Sequence, residues 1–140
     1  MFSQWRIRNT SSWTMLLFGV AAFLLGLIGI ISPSFMLSTL GLQVVEKAQR
    51  ATYDYTLAFV TTSSMASFNM GIYYILAALS NWKTFYRWTV PFRMVTFTVF
   101  TLSVVSGNAP GSFIGVAAWE LVGAITTGAA LYHEQRRGIE

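Results

Sequence analysis

Cysteine is missing from this sequence altogether, histidine occurs once, and charged residues make up only 10% of it. Without thiols there is no disulfide framework, no thiolate metal site and no cysteine nucleophile. His133 alone does not make an imidazole-based metal centre, so no metal is expected. Nor does the chain contain a glycine-rich phosphate loop, or a nucleophile and base spaced for covalent catalysis, and no cofactor is expected either.

The scarcity of charge excludes most. Soluble domains are about 25% charged, whereas this chain is 54% hydrophobic with a mean hydropathy of +0.55. A soluble fold of that composition has too little polar surface to cover itself, while a bilayer asks for none. The formal charge of +4 does not indicate nucleic acid, because the nine Lys and Arg residues are scattered between apolar blocks. Their placement fits membrane topology, and the expected partner is the lipid bilayer.

What the sequence has in abundance is uninterrupted apolar chain. Four runs, 13–31, 58–79, 88–106 and 113–131, each approach the ~20 residues that cross a ~30 Å hydrocarbon core as helix. Ser32-Pro33, Ser80-Asn81 and the charge-free turn from Ser106 to Gly111 separate them. The first run is too long for a signal h-region, and Ser32-Pro33-Ser34 is not a small-residue cleavage site, so it reads as a retained helix. The helix of the second run is free to start as early as Ala51. Before it, Phe35, Met36, Leu40 and Leu42 predict a short amphipathic stretch on the membrane surface. With no internal repeat, residues 1–140 form one all-α domain, a four-helix transmembrane bundle.

Lys and Arg outside the runs divide six to two, with Arg6, Arg8, Lys83, Arg87, Arg136 and Arg137 on one face against Lys47 and Arg50 on the other. The positive-inside rule then places both the N-terminus and the C-terminus in the cytoplasm. Trp5, Trp13, Trp82, Tyr86, Trp88 and Tyr132 flank the runs, where amphipathic rings sit at headgroup level.

Helices in lipid associate through close approach of small residues and a few interhelical hydrogen bonds. Gly19, Ala22, Gly26 and Gly29 draw a smooth seam along the first helix, and the second helix offers Ser63, Ser67 and Gly71 at spacings of four. The seam predicts packing within the monomer, with a homo-oligomer contact as the alternative.

Arg93 and Glu120 are the ionisable residues inside the runs, and Asn69 is the most polar uncharged one. An Arg or Asp at the centre of a membrane helix costs about 2.5–3.5 kcal/mol, so such residues face the bundle interior or water and mark functional sites. A rise of about 1.5 Å per residue puts Asn69 and Glu120 at nearly equal depth near the midplane, in reach of each other across the second and fourth helices. Arg93 lies only about 8 Å in from the start of its run, where its guanidinium either snorkels to the interface or turns inward. Side chains lean toward their own helix N-terminus, which drives an antiparallel Arg93–Glu120 pair apart; tilt, a water or a bound anionic group is needed to join them. Glu120 reads either as a hydrogen-bonded structural residue or as a ligand or proton site. Asn69 reads as a helix-bridging amide or a ligand contact, and Asp54, between Tyr53 and Tyr55, as a capping residue or a ligand contact. His133 and Glu134 read as plain surface, since neighbours in sequence do not face one way on a helix.

Gly26-Leu27-Ile28-Gly29-Ile30-Ile31-Ser32-Pro33 leading into Leu40-Gly41-Leu42, then Asn69-Met70-Gly71-Ile72-Tyr73-Tyr74, Pro91-Phe92-Arg93 and Trp119-Glu120-Leu121, together resemble the DoxX-like group of small four-helix membrane proteins over nearly the whole chain. The resemblance implies an arginine early in the third helix and a glutamate in the fourth as group features, matched by Arg93 and Glu120. It also implies kinship with subunits or partners of membrane oxidoreductases. Two functions follow from these readings. One is an accessory or binding protein for a partner subunit or a lipophilic small molecule. The other is a small membrane enzyme, an isomerase, cyclase or quinone-linked oxidoreductase, with Glu120 as general acid or base and Arg93 as oxyanion or carboxylate clamp. A transporter would want repeats or broken helices, which the runs do not offer.

Overall fold

The structure, a computed structural model, describes residues 7–138; Trp5 and Arg6 of the reading above lie outside them. The described residues form helices joined by turns and loops, with no strand among them. Helix α1 spans Thr10–Ile31, α2 Pro33–Thr39, α3 Thr56–Ser80, α4 Lys83–Val105 and α5 Ile114–Arg136, with single 3-10 turns at Lys47–Gln49 and Gly111–Phe113. Three of these, α1, α4 and α5 with the turn leading into it, are long and apolar enough to cross a membrane. The remaining long helix, α3, carries no charge, but its hydroxyls and Asn69 dilute its hydropathy.

The helices are longer than the apolar runs that announce them. α4 begins at Lys83 rather than near Trp88, which moves Pro91 from the first turn into the helix interior. There it has no N–H to offer the Arg87 carbonyl one turn back. α3 starts at Thr56, not at Ala51, because Asp54 fixes its first turn: the Thr56 N–H donates to Asp54 Oδ1 at 2.9 Å and the Thr56 hydroxyl at 2.5 Å. The expected amphipathic stretch is α2, but it does not simply lie on a surface. Leu37 is buried and α2 packs on both α1 and α3.

The distribution of polarity is inverted relative to a soluble protein. Phe59 is 73% exposed and Ile31 75%, with Leu17, Phe92, Val105 and Ile125 similarly outward, while Ser11, Ser12, Thr89 and Thr127 are buried beside Ala and Gly. An apolar exterior of this extent is what hydrocarbon solvates and water does not. Four hydroxyls of α3 are satisfied within the protein: Thr61, Thr62 and Ser63 donate to the carbonyls of Leu57, Ala58 and Val60, and Ser67 donates across to Ala22 at 3.0 Å.

The glycine seam of α1 mates with α3, as its spacing predicts. A Cβ on Gly26 would strike the backbone of Phe68 and Ser64, one on Gly19 would lie 2.9 Å from Tyr74, and one on Gly29 would collide with the Ser64 side chain. Reciprocally, a Cβ on Gly71 would strike the backbone of Phe23. α1 therefore sits against α3 on one side and α5 on the other, and α4 packs on α5. α3 and α4 are joined by only Asn81 and Trp82, with Asn81 left-handed at φ 52° to make the reversal, yet beyond that turn their backbones diverge and the side chain of Tyr74, against Phe85 and Arg93, bridges them. The bundle is thus open along one side, between α3 and α4.

Candidate functional site

At the end where the first and last helices meet, a polar clasp fixes the frame. Asn9, at the start of α1, makes no side-chain cap bond, and the first turn of α1 has no acidic residue. Glu134, near the end of α5, takes that role from across the bundle. Its Oε1 accepts from the Ser11 N–H at 2.7 Å, its Oε2 accepts from the Ser11 hydroxyl at 2.8 Å, and Lys83 Nζ stands 3.4 Å away. A carboxylate at a helix N-terminus meets both unpaired N–H groups and the positive end of the dipole. Glu134 is only 3% exposed, which corrects its reading as plain surface; His133 next to it is exposed as expected. Adjacent sequence positions point different ways on a helix, and the inward one found partners that only the fold supplies. Ser12 extends the clasp, donating to Asn81 Oδ1 at 3.0 Å and lying 3.2 Å from the Tyr86 hydroxyl, which donates to the Ala77 carbonyl at 2.8 Å.

Arg93 lies ten residues along α4 from Lys83, about 15 Å below the clasp by the helical rise. It is 4% exposed, so its guanidinium turns into the bundle and does not snorkel outward. The side chain leans toward its own N-terminus, as helical geometry requires. It meets the rings of Phe18 on α1, 4.3 Å from the centroid, and Tyr74 on α3, 5.0 Å away. Space for it is made on α5 by Gly123, where an added Cβ would overlap Nη1. Nε and Nη1 reach no hydrogen-bond acceptor. Cation–π contacts return up to about 2 kcal/mol each when desolvated, against an effective cost of several kcal/mol for taking the ion out of water. Two rings therefore offset only part of the cost of burying this charge.

Arg93 and Glu120 face the same cavity, of about 790 Å³, bounded by all five helices; Met36, Leu37, Ser67, Phe100 and Trp119 are among its walls. A second recess of about 350 Å³ between α3 and α4 shares Met70, Tyr74, Arg93, Thr96 and Glu120 with it, so the two spaces meet at the charged residues. Arg93 and Glu120 form no ion pair. Glu120 leans toward the opposite end of the bundle, the separation that antiparallel side-chain lean predicts.

Of the four residues singled out in the sequence, the fold gathers two. Asn69 does not line the cavity; it lies about 200° around α3 from both Ser67 and Gly71, which face α1, and α3 does not pack against α5 where Glu120 sits. The expected reach from Asn69 to Glu120 across those helices is therefore not made. Asp54 belongs to the turn before α3, where its two bonds to Thr56 hold its carboxyl below the usual carboxylate range. Sequence reasoning missed Phe18, Tyr74 and Glu134. Gly123, three residues from Glu120 on α5, displays the close approach in its residue type alone.

Comparison with protein-family models, with curated proteins and with solved structures finds no match for this chain. What fold and site together define is a small all-helical protein of membrane type with a charged cavity inside it.

Proposed function

We propose that the chain is a four-pass membrane protein with both termini in the cytoplasm, and that its bundle binds a lipophilic small molecule at Arg93 and Glu120. The observation that carries this reading is an unpaired, buried guanidinium on the wall of an apolar cavity whose volume of about 790 Å³ lies within the range of small-molecule sites. The gap between α3 and α4 supplies lateral access from the bilayer. α3 serves as the fourth span because it is uncharged, 25 residues long and mated with α1, and the hydroxyls of Thr61, Thr62 and Ser63 are bonded to its own carbonyls. The excess of Lys and Arg on the face of the clasp orients the bundle. Membership of the DoxX-like group is part of the same proposal, with Arg93 and Glu120 as the shared pair.

A small molecule fits better than a partner subunit, because Arg93 turns inward and the large side chains on the outer faces are mostly apolar. Native mass spectrometry of protein extracted in mild detergent is expected to show a reproducible bound mass that Val116→Phe, which fills the cavity, removes. An empty wild-type protein would overturn the reading. The enzymatic alternative is favoured by one feature, Glu120 facing the space that Arg93 also faces; it requires Glu120→Gln to abolish a lipophilic product while the bound mass persists. Because the chain has no native cysteine, single cysteines at positions 8 and 137 test orientation directly, and both should label only from the cytoplasmic side.

A further inference from the structure

We infer that the occupant of the cavity is a single-chain amphiphile bearing one carboxylate, seated head-first on Arg93 with its apolar body along the wall formed by α2, α3 and α5. The inference rests on the ligand-binding reading above and names its chemistry.

Three features select that class. First, Arg93 is more than nine-tenths buried, and its Nε and Nη1 lack acceptors, so the site presents two guanidinium donors that no residue meets. Second, among the described residues no other Lys or Arg lines either space. One cation matches one negative charge; a phosphate monoester would bring a second charge with nothing to meet it. Third, the rest of the cavity is built for hydrocarbon. Leu25, Met36, Leu40 and Phe100 line it, with Ser63 and Ser67 as small polar interruptions. A free inorganic anion would satisfy Arg93 and leave that volume unfilled. A neutral lipid would fill the volume and leave Arg93 as it stands.

The path follows from the splay of α3 and α4. The head passes between them beside Met70 and Thr96, residues shared by both spaces, and reaches the guanidinium held between Phe18 and Tyr74. Glu120, across the same space, limits the head to a small monoanion. Replacing it with Gln removes a like charge without changing shape.

The test uses the full chain in detergent micelles, with palmitate, methyl palmitate, acetate and inorganic phosphate as probes, and bromopalmitate quenching of Trp119 as the readout. Trp119 lines the cavity and packs 4.5 Å from Phe18, so a bound brominated chain lies within its reach. Palmitate is expected to bind at least tenfold more tightly than its methyl ester. Arg93→Met should erase that preference while keeping the affinity for the ester, which also shows that the variant is folded. Glu120→Gln, which removes the like charge facing the head, should bind palmitate more tightly than wild type. Equal affinity for acid and ester in wild type, or a preference that survives Arg93→Met, overturns the carboxylate assignment and leaves the cavity as a lipophile site. Acetate or phosphate competing at the concentrations at which palmitate binds also overturns it, in favour of a free anion. Failure of both palmitate and its ester to bind overturns this inference together with the reading beneath it.

Discussion

Gly123 on α5 lies against the Arg93 guanidinium of α4, so close that a single added carbon would take the place of Nη1. The arginine is buried because its neighbouring helix gives up a side chain at that level. Position 123 thereby controls where the charge points.

Gly123→Ala is expected to destabilise the protein by about 1–3 kcal/mol, the usual cost of overpacking, because Arg93 must leave its place between Phe18 and Tyr74. Combined with Arg93→Met, which has no Nη1, the same substitution should cost markedly less. Thermal unfolding of the four proteins in detergent closes the double-mutant cycle; additive effects would show that the two residues do not share this space.

The α1–α3 seam predicts a contrast between two glycines. A Cβ at Gly26 meets the backbone of Phe68 and Ser64, which has no rotamer to move, whereas one at Gly115 meets nothing within 4 Å. Gly26→Ala should lower the unfolding temperature. Gly115→Ala should leave it unchanged or raise it, since alanine is favoured over glycine in helix by about 1 kcal/mol.

Removing Glu134 breaks a buried, hydrogen-bonded pair and takes the acceptor away from the Ser11 N–H. Glu134→Ala should cost about 3–5 kcal/mol, as breaking one side of a buried ion pair does. Glu134→Gln, which keeps an acceptor for Ser11 but loses the charge, should fall between it and wild type in the same unfolding assay.

Asp54 gives a pH dependence with a definite sign. Its folded pKa is depressed, by the Thr56 hydroxyl first and the Thr56 N–H second. Its stabilising contribution is present above the unfolded value of 3.8 and is lost as pH falls through the lower folded value. Amide protection factors at the start of α3, taken against the intrinsic exchange rate at each pH, should therefore fall below about pH 4 in wild type, and Asp54→Asn should show low protection that changes little with pH.

Much of this arrangement was legible in the chain. The glycine spacing of α1 announced a seam, and the seam is where α3 lies, because close helix approach depends on small residues that sequence displays directly. Arg93 and Glu120 stood out because a charge in an apolar run has few physical excuses. Hydropathy could not read the helix starts, since Lys83 and Thr56 are held by Glu134 and Asp54 through specific bonds. Nor could it read the role of Glu134, whose partners are far away in the sequence. Depth counting put Asn69 level with Glu120 and could not tell that they sit on helices that never pack together. Phe18 and Tyr74 were indistinguishable from any other aromatic until an arginine was found between them.

The contact between Ser11 and Glu134 spans 123 residues, nearly the whole length of the chain. During synthesis the first helix reaches the bilayer long before the residue that completes its N-terminus has been translated. Until the last helix is inserted, the amide donors of α1 must be met by water or lipid headgroups, and Lys83 waits for its carboxylate as well. A chain that stalls or is truncated before position 134 thus carries an open polar end that distinguishes it from the finished protein.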